Sequence, residues 1–253
     1  VVNELGIQVA EEGKEYDYIL WLGCNASYDP NVRNSAYSLM KILKKAGINF
    51  AILPDETCCG EPARRIGDEY LFKQIIELNL AYLRKYRFKK LLVMCPHGYT
   101  VFKHDYNQYN NKINNIEVEH YTILLHRLLK NGLIRVRRSC EKVVYHDPCY
   151  LARWNNITNE PREVIRSVAE LVEATRSRKR TFCCGSGGGG YFLSTKIGER
   201  ISRERMSELS QVGANRIVVS CPFCNIMLRS EILDRYNGVE VVDLAELIDS
   251  NVI

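Results

Sequence analysis

The chain has 253 residues, 46% hydrophobic and 26% charged, with a mean hydropathy of −0.23. No run approaches the roughly 18 apolar residues that argue a membrane span, and the N-terminus lacks a signal-peptide pattern, so a cytoplasmic setting is expected. The net charge of +5 is modest. Its basic clusters, at 135–138, 176–180 and 85–90, read as solvated faces. Without a basic helix carrying interleaved aromatics they do not predict nucleic-acid binding.

In chain order, Tyr16 to Gly23 is a β-rich run that ends at Cys24. Asn31 to Gly47 keeps a 3.6-residue period through Val32, Ala36, Leu39, Met40 and Leu43, which predicts a helix stopped by glycine. Asn49 to Leu53 predicts a short strand, and the loop after it carries Cys58 and Cys59. A second helix is expected over Asp68 to Tyr86, then a strand from Lys89 to Met94 that runs into Cys95. Glu117 to His120 predicts another strand and Tyr121 to Asn131 a helix. The order then recurs. Strand Lys142 to His146 delivers Cys149, helix Pro161 to Val168 follows, and strand Leu171 to Ala174 precedes Cys183 and Cys184. A long helix is expected over Phe192 to Val212, then strand Arg216 to Ser220 into Cys221, strand Val239 to Val242 and helix Leu244 to Ser250. This alternation predicts an α/β fold with mostly parallel sheets and cysteines at strand carboxyl ends.

The recurrence is a duplication. A shift of 125 places Cys24 on Cys149, Cys58 on Cys183 and Cys59 on Cys184, and 33 residues separate the first cysteine from the pair in both cases. Cys95 falls on Cys221 with one extra residue. The chain therefore divides into related halves, 1–133 and 134–253. Symmetry breaks at Gly98, which stands where Cys224 stands, so the first half offers four thiols and the second five. His97 falls on Phe223, a position with no ligand. Cys140 has no counterpart and reads as a bystander.

Ten cysteines in an unsignalled chain read as metal ligands rather than disulfides. Thiolate selects zinc, cuprous copper or iron–sulfur clusters. Cys149, Cys183, Cys184, Cys221 and Cys224 are one thiol too many for a tetrahedral zinc ion. Adjacent Cys183 and Cys184 diverge, which suits two irons of an extended cluster, and Gly185 lets the backbone turn sharply beside them. Gly185 to Gly190 also satisfies G-x-G-x-x-G, but position 210 is Ser where a dinucleotide site needs an acid. Close backbone approach to a cluster is the preferred reading of these glycines. His146, at a strand end beside Cys149, reads as orienting the cysteine loop, with proton donation to a substrate as its functional alternative. His120 and His126 read as surface or interface residues. Arg64 and Arg65, beside Cys58 and Cys59, read equally as ion-paired scaffold or anion binders.

The doubled pattern Cys-x33-Cys-Cys-Gly-x35-Cys-x-x-Cys is carried by LGC at 22–24, CCGEPARRIGDEYLF at 58–72, CPHGY at 95–99, YHDPCYLARWN at 145–155, CCGSGGGG at 183–190 and CPFCNIML at 221–228. It resembles the cysteine-rich CCG domains in the B- and D-type subunits of heterodisulfide reductase. Such domains recur in the iron–sulfur partners of electron-transfer flavoproteins and in sulfur-oxidation heterodisulfide reductase-like complexes. The resemblance implies a non-cubane 4Fe–4S cluster on Cys149, Cys183, Cys184, Cys221 and Cys224. It implies for Cys24, Cys58, Cys59 and Cys95 a second 4Fe–4S-type cluster, an altered one or none. It further implies an oxidoreductase subunit that exchanges electrons with a disulfide or thiol substrate, or with a flavoprotein or quinone partner. The expected partners are a ferredoxin-like iron–sulfur subunit or a flavoprotein, with membrane association only through them. A zinc-stabilised structural module is the competing reading.

Overall fold

Short runs rich in Val, Ile, Leu and aromatic residues fit a buried, pleated surface and become strands. In the computed structural model, which describes residues 2–109, 116–193, 198–236 and 238–253, they form two sheets. Strands β1 (Glu15–Trp21), β2 (Phe50–Ile52), β3 (Arg87–Val93) and β4 (Glu117–His120) lie in the order β2-β1-β3-β4. Strands β5 (Lys142–Tyr145), β6 (Glu170–Val172), β7 (Arg216–Val219) and β8 (Glu240–Asp243) lie in the order β6-β5-β7-β8. Every pairing is parallel. The duplicated α/β architecture expected from the sequence is what the chain adopts.

The order reverses between β1 and β3, and again between β5 and β7. At such a switch point the connections diverge and leave a crevice outside the strand carboxyl ends. Cys24 and Cys95 follow the first pair of strands, and Cys149 and Cys221 follow the second. The topology thus places a thiol on each side of each crevice.

The two sheets are joined by helices that exchange partners symmetrically. The helix Pro30–Lys45 packs on Leu244–Asp249, and in the counterpart contact Tyr121–Lys130 packs on Asn159–Val168. In each case the first long helix of one half meets the last helix of the other. A large apolar cluster crosses the seam, with Leu39, Leu43, Leu124 and Leu128 against Val164, Ile165, Leu244 and Ile248. Each fully buried side chain of this kind contributes roughly 1.5–3 kcal/mol. An exposed pair such as His126–Glu163, at 2.6 Å across the same seam, contributes about 1 kcal/mol or less. Burial, not charge, joins the halves.

Three expectations change. The long helix Phe192 to Val212 is instead one 3-10 turn, Gly190–Phe192, and a shorter helix, Ile201–Ser210. Gly198 takes a left-handed φ of 77°, which a helix interior does not tolerate; residues 194–197, Ile197 among them, lie outside the described residues. His120 is fully buried rather than superficial. Its Nδ1 accepts from Thr122 N, capping Tyr121–Lys130, and Nε2 donates to Met94 O at 3.1 Å. Unforeseen helices also start right after two cysteines, at Pro96–Thr100 and Pro222–Arg235, each with proline in the first turn.

Asp243 caps the last helix by accepting from Ala245 N at 2.8 Å, and takes the Tyr121 hydroxyl of the other half at 2.8 Å. Burial raises its carboxyl to about 8 despite these bonds. A carboxyl raised on folding favours the native state most below its unfolded value, about 3.9, and that advantage is lost as pH rises through about 8. Asp243→Asn keeps an acceptor for both donors and does not ionise. Its thermal midpoint is therefore expected to gain on the wild type steadily from pH 4 to about 8; a constant difference across that range would refute the assignment.

Candidate metal centre

The second half gathers its five thiols at one crevice. Cys149 leads into a π-helical turn, Tyr150–Trp154; Cys183 and Cys184 lie on the loop after β6; Cys221 ends β7 and Cys224 sits one turn into the helix after it. The Cys224 thiol donates to Cys184 Sγ at 3.4 Å. Cys183 is hydrogen-bonded to both Cys149 and Cys184, which hold its thiol far below the ordinary range. Cys221, although fully buried, is lowered by hydrogen bonds with Cys224, Cys95 and His97. All five sequence-predicted residues of this half are joined by thiol–thiol contacts.

The first half behaves differently. Cys58 is lowered to about 6 by a hydrogen bond with Cys59, while Cys24 is raised by burial and by the nearby Cys58. Cys95 borders the same cleft as Cys24, Cys58 and Cys59 and also meets the other half. Burial raises its thiol, as does a hydrogen bond to Cys221, and it packs with Cys184, Cys221 and Cys224. Thiol contacts therefore run from Cys95 of the first half through Cys221, Cys224, Cys184 and Cys183 to Cys149, with Cys58 and Cys59 as a separate pair and Cys24 near Cys58. Cys140 is exposed and outside these contacts.

Local backbone explains the convergence. Gly60 and Gly185 both take left-handed φ, 88° and 94°, directly after the paired cysteines. Their amides fold back to donate to Cys58 Sγ at 3.4 Å and Cys183 Sγ at 3.2 Å. A Cβ at Gly60 would stand 2.8 Å from the Phe72 ring. At Gly190 it would stand 2.3 Å from the Gly185 carbonyl oxygen, so this glycine closes the loop on itself. That loop closure, rather than close approach to a cluster, accounts for Gly190.

Polar side chains pin the loops. Glu56 accepts from Leu22 N and Gly23 N, both at 2.8 Å, and so shapes the entry to Cys24. At the equivalent place Thr181 Oγ1 donates to Asp147 O at 2.9 Å. Arg162, fully buried, grips Asp147 through two parallel bonds of 2.6 and 2.8 Å and Glu173 through two of 2.7 Å. The Arg178 amide adds a third contact to Asp147 at 2.8 Å. Arg64 pairs with Asp105 and Glu69; Arg65 pairs with Asp105 and lies over Trp154, 4.6 Å from the ring centre. Both arginines are scaffold.

Where Cys224 has no twin, the first half opens. A narrow cleft, with water-accessible space of only about 20 Å³, is bordered by Cys24, Cys58, Cys59, Cys95, His97 and Gly98, and by Phe223 from the second half. His97 is buried at the seam, stacked on Tyr150 with ring centres 4.0 Å apart, and its Nδ1 faces Glu61 at 3.3 Å. Glu61 also accepts from the Tyr150 hydroxyl. Hydrogen bonds to Cys221 and Glu61 outweigh burial and raise His97 to about 9. Alignment with Phe223 gave no hint of this, because Tyr150 and Cys221 reach His97 from the opposite half and Glu61 from a separate segment of its own.

The same arrangement of paired cysteines on duplicated α/β halves defines a known family. The CCG cysteine-rich domain family matches residues 18–103 and 143–229, and the chain belongs to that family. It is 35% identical over 259 aligned residues to "EtfAB:quinone oxidoreductase" of Syntrophomonas wolfei, covering 98% of this chain and 36% of that protein. It is 35% identical over 252 residues to "Probable iron-sulfur-binding oxidoreductase FadF" of Bacillus subtilis, covering 97% and 35%. Similarity extends to the D-type polypeptide of the dihydromethanophenazine:CoB–CoM heterodisulfide reductase of Methanosarcina barkeri, at 29% over 239 residues, 92% of this chain and 58% of that protein. The chain spans about a third of the length of the first two relatives. Among the described residues no helix is long and apolar enough to cross a membrane.

Replacing Arg162 by Met leaves Asp147 buried without its cation, a change that costs about 3–5 kcal/mol. The double variant Arg162→Met, Asp147→Asn is expected to recover part of that loss in chemical denaturation. Equal instability of single and double variants would show that the pair is not what positions the Cys149 loop.

Proposed function

We propose that the chain is the cluster-bearing portion of an oxidoreductase of the heterodisulfide reductase type. In this reading Cys149, Cys183, Cys184, Cys221 and Cys224 hold a non-cubane 4Fe–4S cluster. Cys24, Cys58, Cys59 and Cys95 hold a second 4Fe–4S-type cluster. The observation that carries it is the gathering of the thiols beside the two crevices, joined across the seam at Cys95 and Cys221, because adjacent cysteines with diverging side chains suit several irons better than one ion. The donor set fits: soft sulfur only, amide donors from Gly60 and Gly185 aimed at it, and a buried imidazole at each end of the seam. The names of the relatives support iron–sulfur redox chemistry and partner subunits in a multi-subunit complex.

When bound, such clusters supply one-electron steps and iron sites that accept sulfur ligands. The chain's own residues do the rest. At the cleft beside Gly98 the first half supplies no thiol where the second half presents Cys224, so a sulfur of the substrate would take that place. His97, protonated at neutral pH and held by Glu61, stands at the border of that cleft and can hand a proton to a departing thiolate. Cleaving a disulfide to two thiols takes up two electrons and two protons, so a flavoprotein, ferredoxin-like or quinone-linked partner would supply the electrons, by way of the seam at Cys95 and Cys221, and thiol oxidation would return them along the same route. A cytoplasmic, partner-docked setting goes with this role.

Anaerobically purified protein is expected to contain iron and inorganic sulfide in equal amounts, with broad absorption near 400 nm and an EPR signal on reduction. Cys224→Ala is expected to remove about half the iron, and Cys140→Ala none. Zinc in place of iron and sulfide would overturn the proposal.

Gly98→Cys tests the cleft separately. Gly98 is helical, and a Cβ there would stand 3.8 Å from Cys59 Sγ, close to the spacing that Cys224 and Cys184 show. The variant is expected to retain its iron, change the spectrum of the first-half cluster and lose turnover with disulfides at least tenfold. Full turnover would show that substrate does not enter there.

A further inference from the structure

His146 directly follows β5 and points into the second thiol group. Its ring nitrogen and the sulfurs of Cys184 and Cys224 all lie within 4.8 Å of one another. The side chain is 1% exposed, and its Nε2 has no hydrogen-bond partner. Its Nδ1 does: Arg205 Nε donates to it at 3.0 Å. Arg205 is itself fully buried and held by Glu208 Oε2 at 2.8 Å and by the Arg176 carbonyl at 3.0 Å.

This bond determines where the imidazole carries its proton. A guanidinium has donors only and does not give up its charge in a protein. Nδ1 must therefore accept, which leaves the proton of a neutral ring on Nε2. A ring that accepts at Nδ1 can hold only the one proton, on Nε2, and is neutral. A histidine that ligates a metal shows the opposite arrangement, donating its remote N–H to a carboxylate or carbonyl. Here the remote nitrogen is occupied by a donor, so Nε2 bears hydrogen and is unsuited to ligation.

We infer that Arg205 locks His146 in the tautomer that presents Nε2–H to the sulfur of the second-half cluster, making His146 a hydrogen-bond donor that tunes the cluster and Arg205 its positioning residue. The inference rests on the cluster reading above. Hydrogen bonds to cluster sulfur favour the reduced, more negative state and raise the reduction potential. The donor belongs to the second half alone: at the equivalent strand end the first half has Trp21, packed edge-on against Phe102 at 4.8 Å.

The test is an EPR-monitored redox titration of the holoprotein, with iron and sulfide counted in each sample. His146→Phe is expected to keep full iron and favour the oxidised cluster roughly tenfold more than wild type, a fall of about 59 mV for one electron. His146→Gln, which retains an N–H donor, is expected to stay near the wild-type potential. Arg205→Met should lower the potential in the same direction, and should add nothing once His146 is already Phe; Arg205→Lys, which can still donate to Nδ1, should restore it. Loss of iron in both His146 variants would make His146 a ligand and overturn the inference. So would an unchanged potential in His146→Phe, or additive shifts in the double variant. If Arg205→Met does not fold, the Phe and Gln variants decide alone. Wild-type protein without iron and sulfide would instead overturn the cluster reading, and the inference with it.

Discussion

The contact on which the site depends is the one between Cys95 and Cys221. Each ends the third strand of its own sheet, and each introduces a proline-started helix. Parallel strands put every carboxyl end on one edge of a sheet, so a single sheet can gather thiols only along that edge. Two such edges facing each other make a site that neither half contains. The helix exchange at the seam enforces this facing, because the apolar stripe of Pro30–Lys45 is covered only when Leu244–Asp249 of the other half lies on it.

Within this shared geometry the halves have diverged. The second half is dense with buried charge: Arg162 on Asp147 and Glu173, and Arg205 on Glu208 and His146. Such ion pairs rarely add net stability over well-packed apolar residues, since desolvation offsets most of their attraction. Their return is orientation. Asp147 immediately precedes the Pro148-Cys149 turn and His146 immediately precedes Asp147, so two arginines fix two consecutive side chains at the crevice. The first half uses one carboxylate, Glu56, for the same task and leaves its crevice open at Gly98. One half is built to hold its centre rigidly and the other to leave room beside it.

The sequence made the architecture legible because the relevant signals are local. Strand runs end at cysteines, helices keep a 3.6-residue period, and a fixed offset relates the halves. It also identified all nine thiols and the break at Gly98. What it concealed is contact between distant residues. The offset aligned His97 with Phe223, but its stacking on Tyr150 arises only when one half is folded against the other, and its pairing with Glu61 joins two separate segments of the first half. His120 looked superficial because it follows an exposed Glu117, although its ring serves as a buried helix cap. Arg205 is one of many basic residues on an otherwise ordinary helical stretch, and nothing in its neighbours announces that it is wholly buried. The long helix expected through Phe192 failed for a local reason that periodicity does not weigh, a glycine held at positive φ.

Electrostatics explains why so many thiols tolerate one another. Their proton affinities alternate: Cys58 is lowered and Cys59 raised, Cys183 lowered and Cys184 raised, Cys221 lowered and Cys224 raised. In each pair one sulfur keeps its proton and donates it to the other, which is how like charges share a buried site. Thiolate ligation replaces those shared protons with metal charge, so loading releases protons and is favoured as pH rises. The pairing therefore does two things. It lets the chain fold with its sulfurs already adjacent, and it holds them against their mutual repulsion until, in the proposed reading, a metal takes the place of the protons.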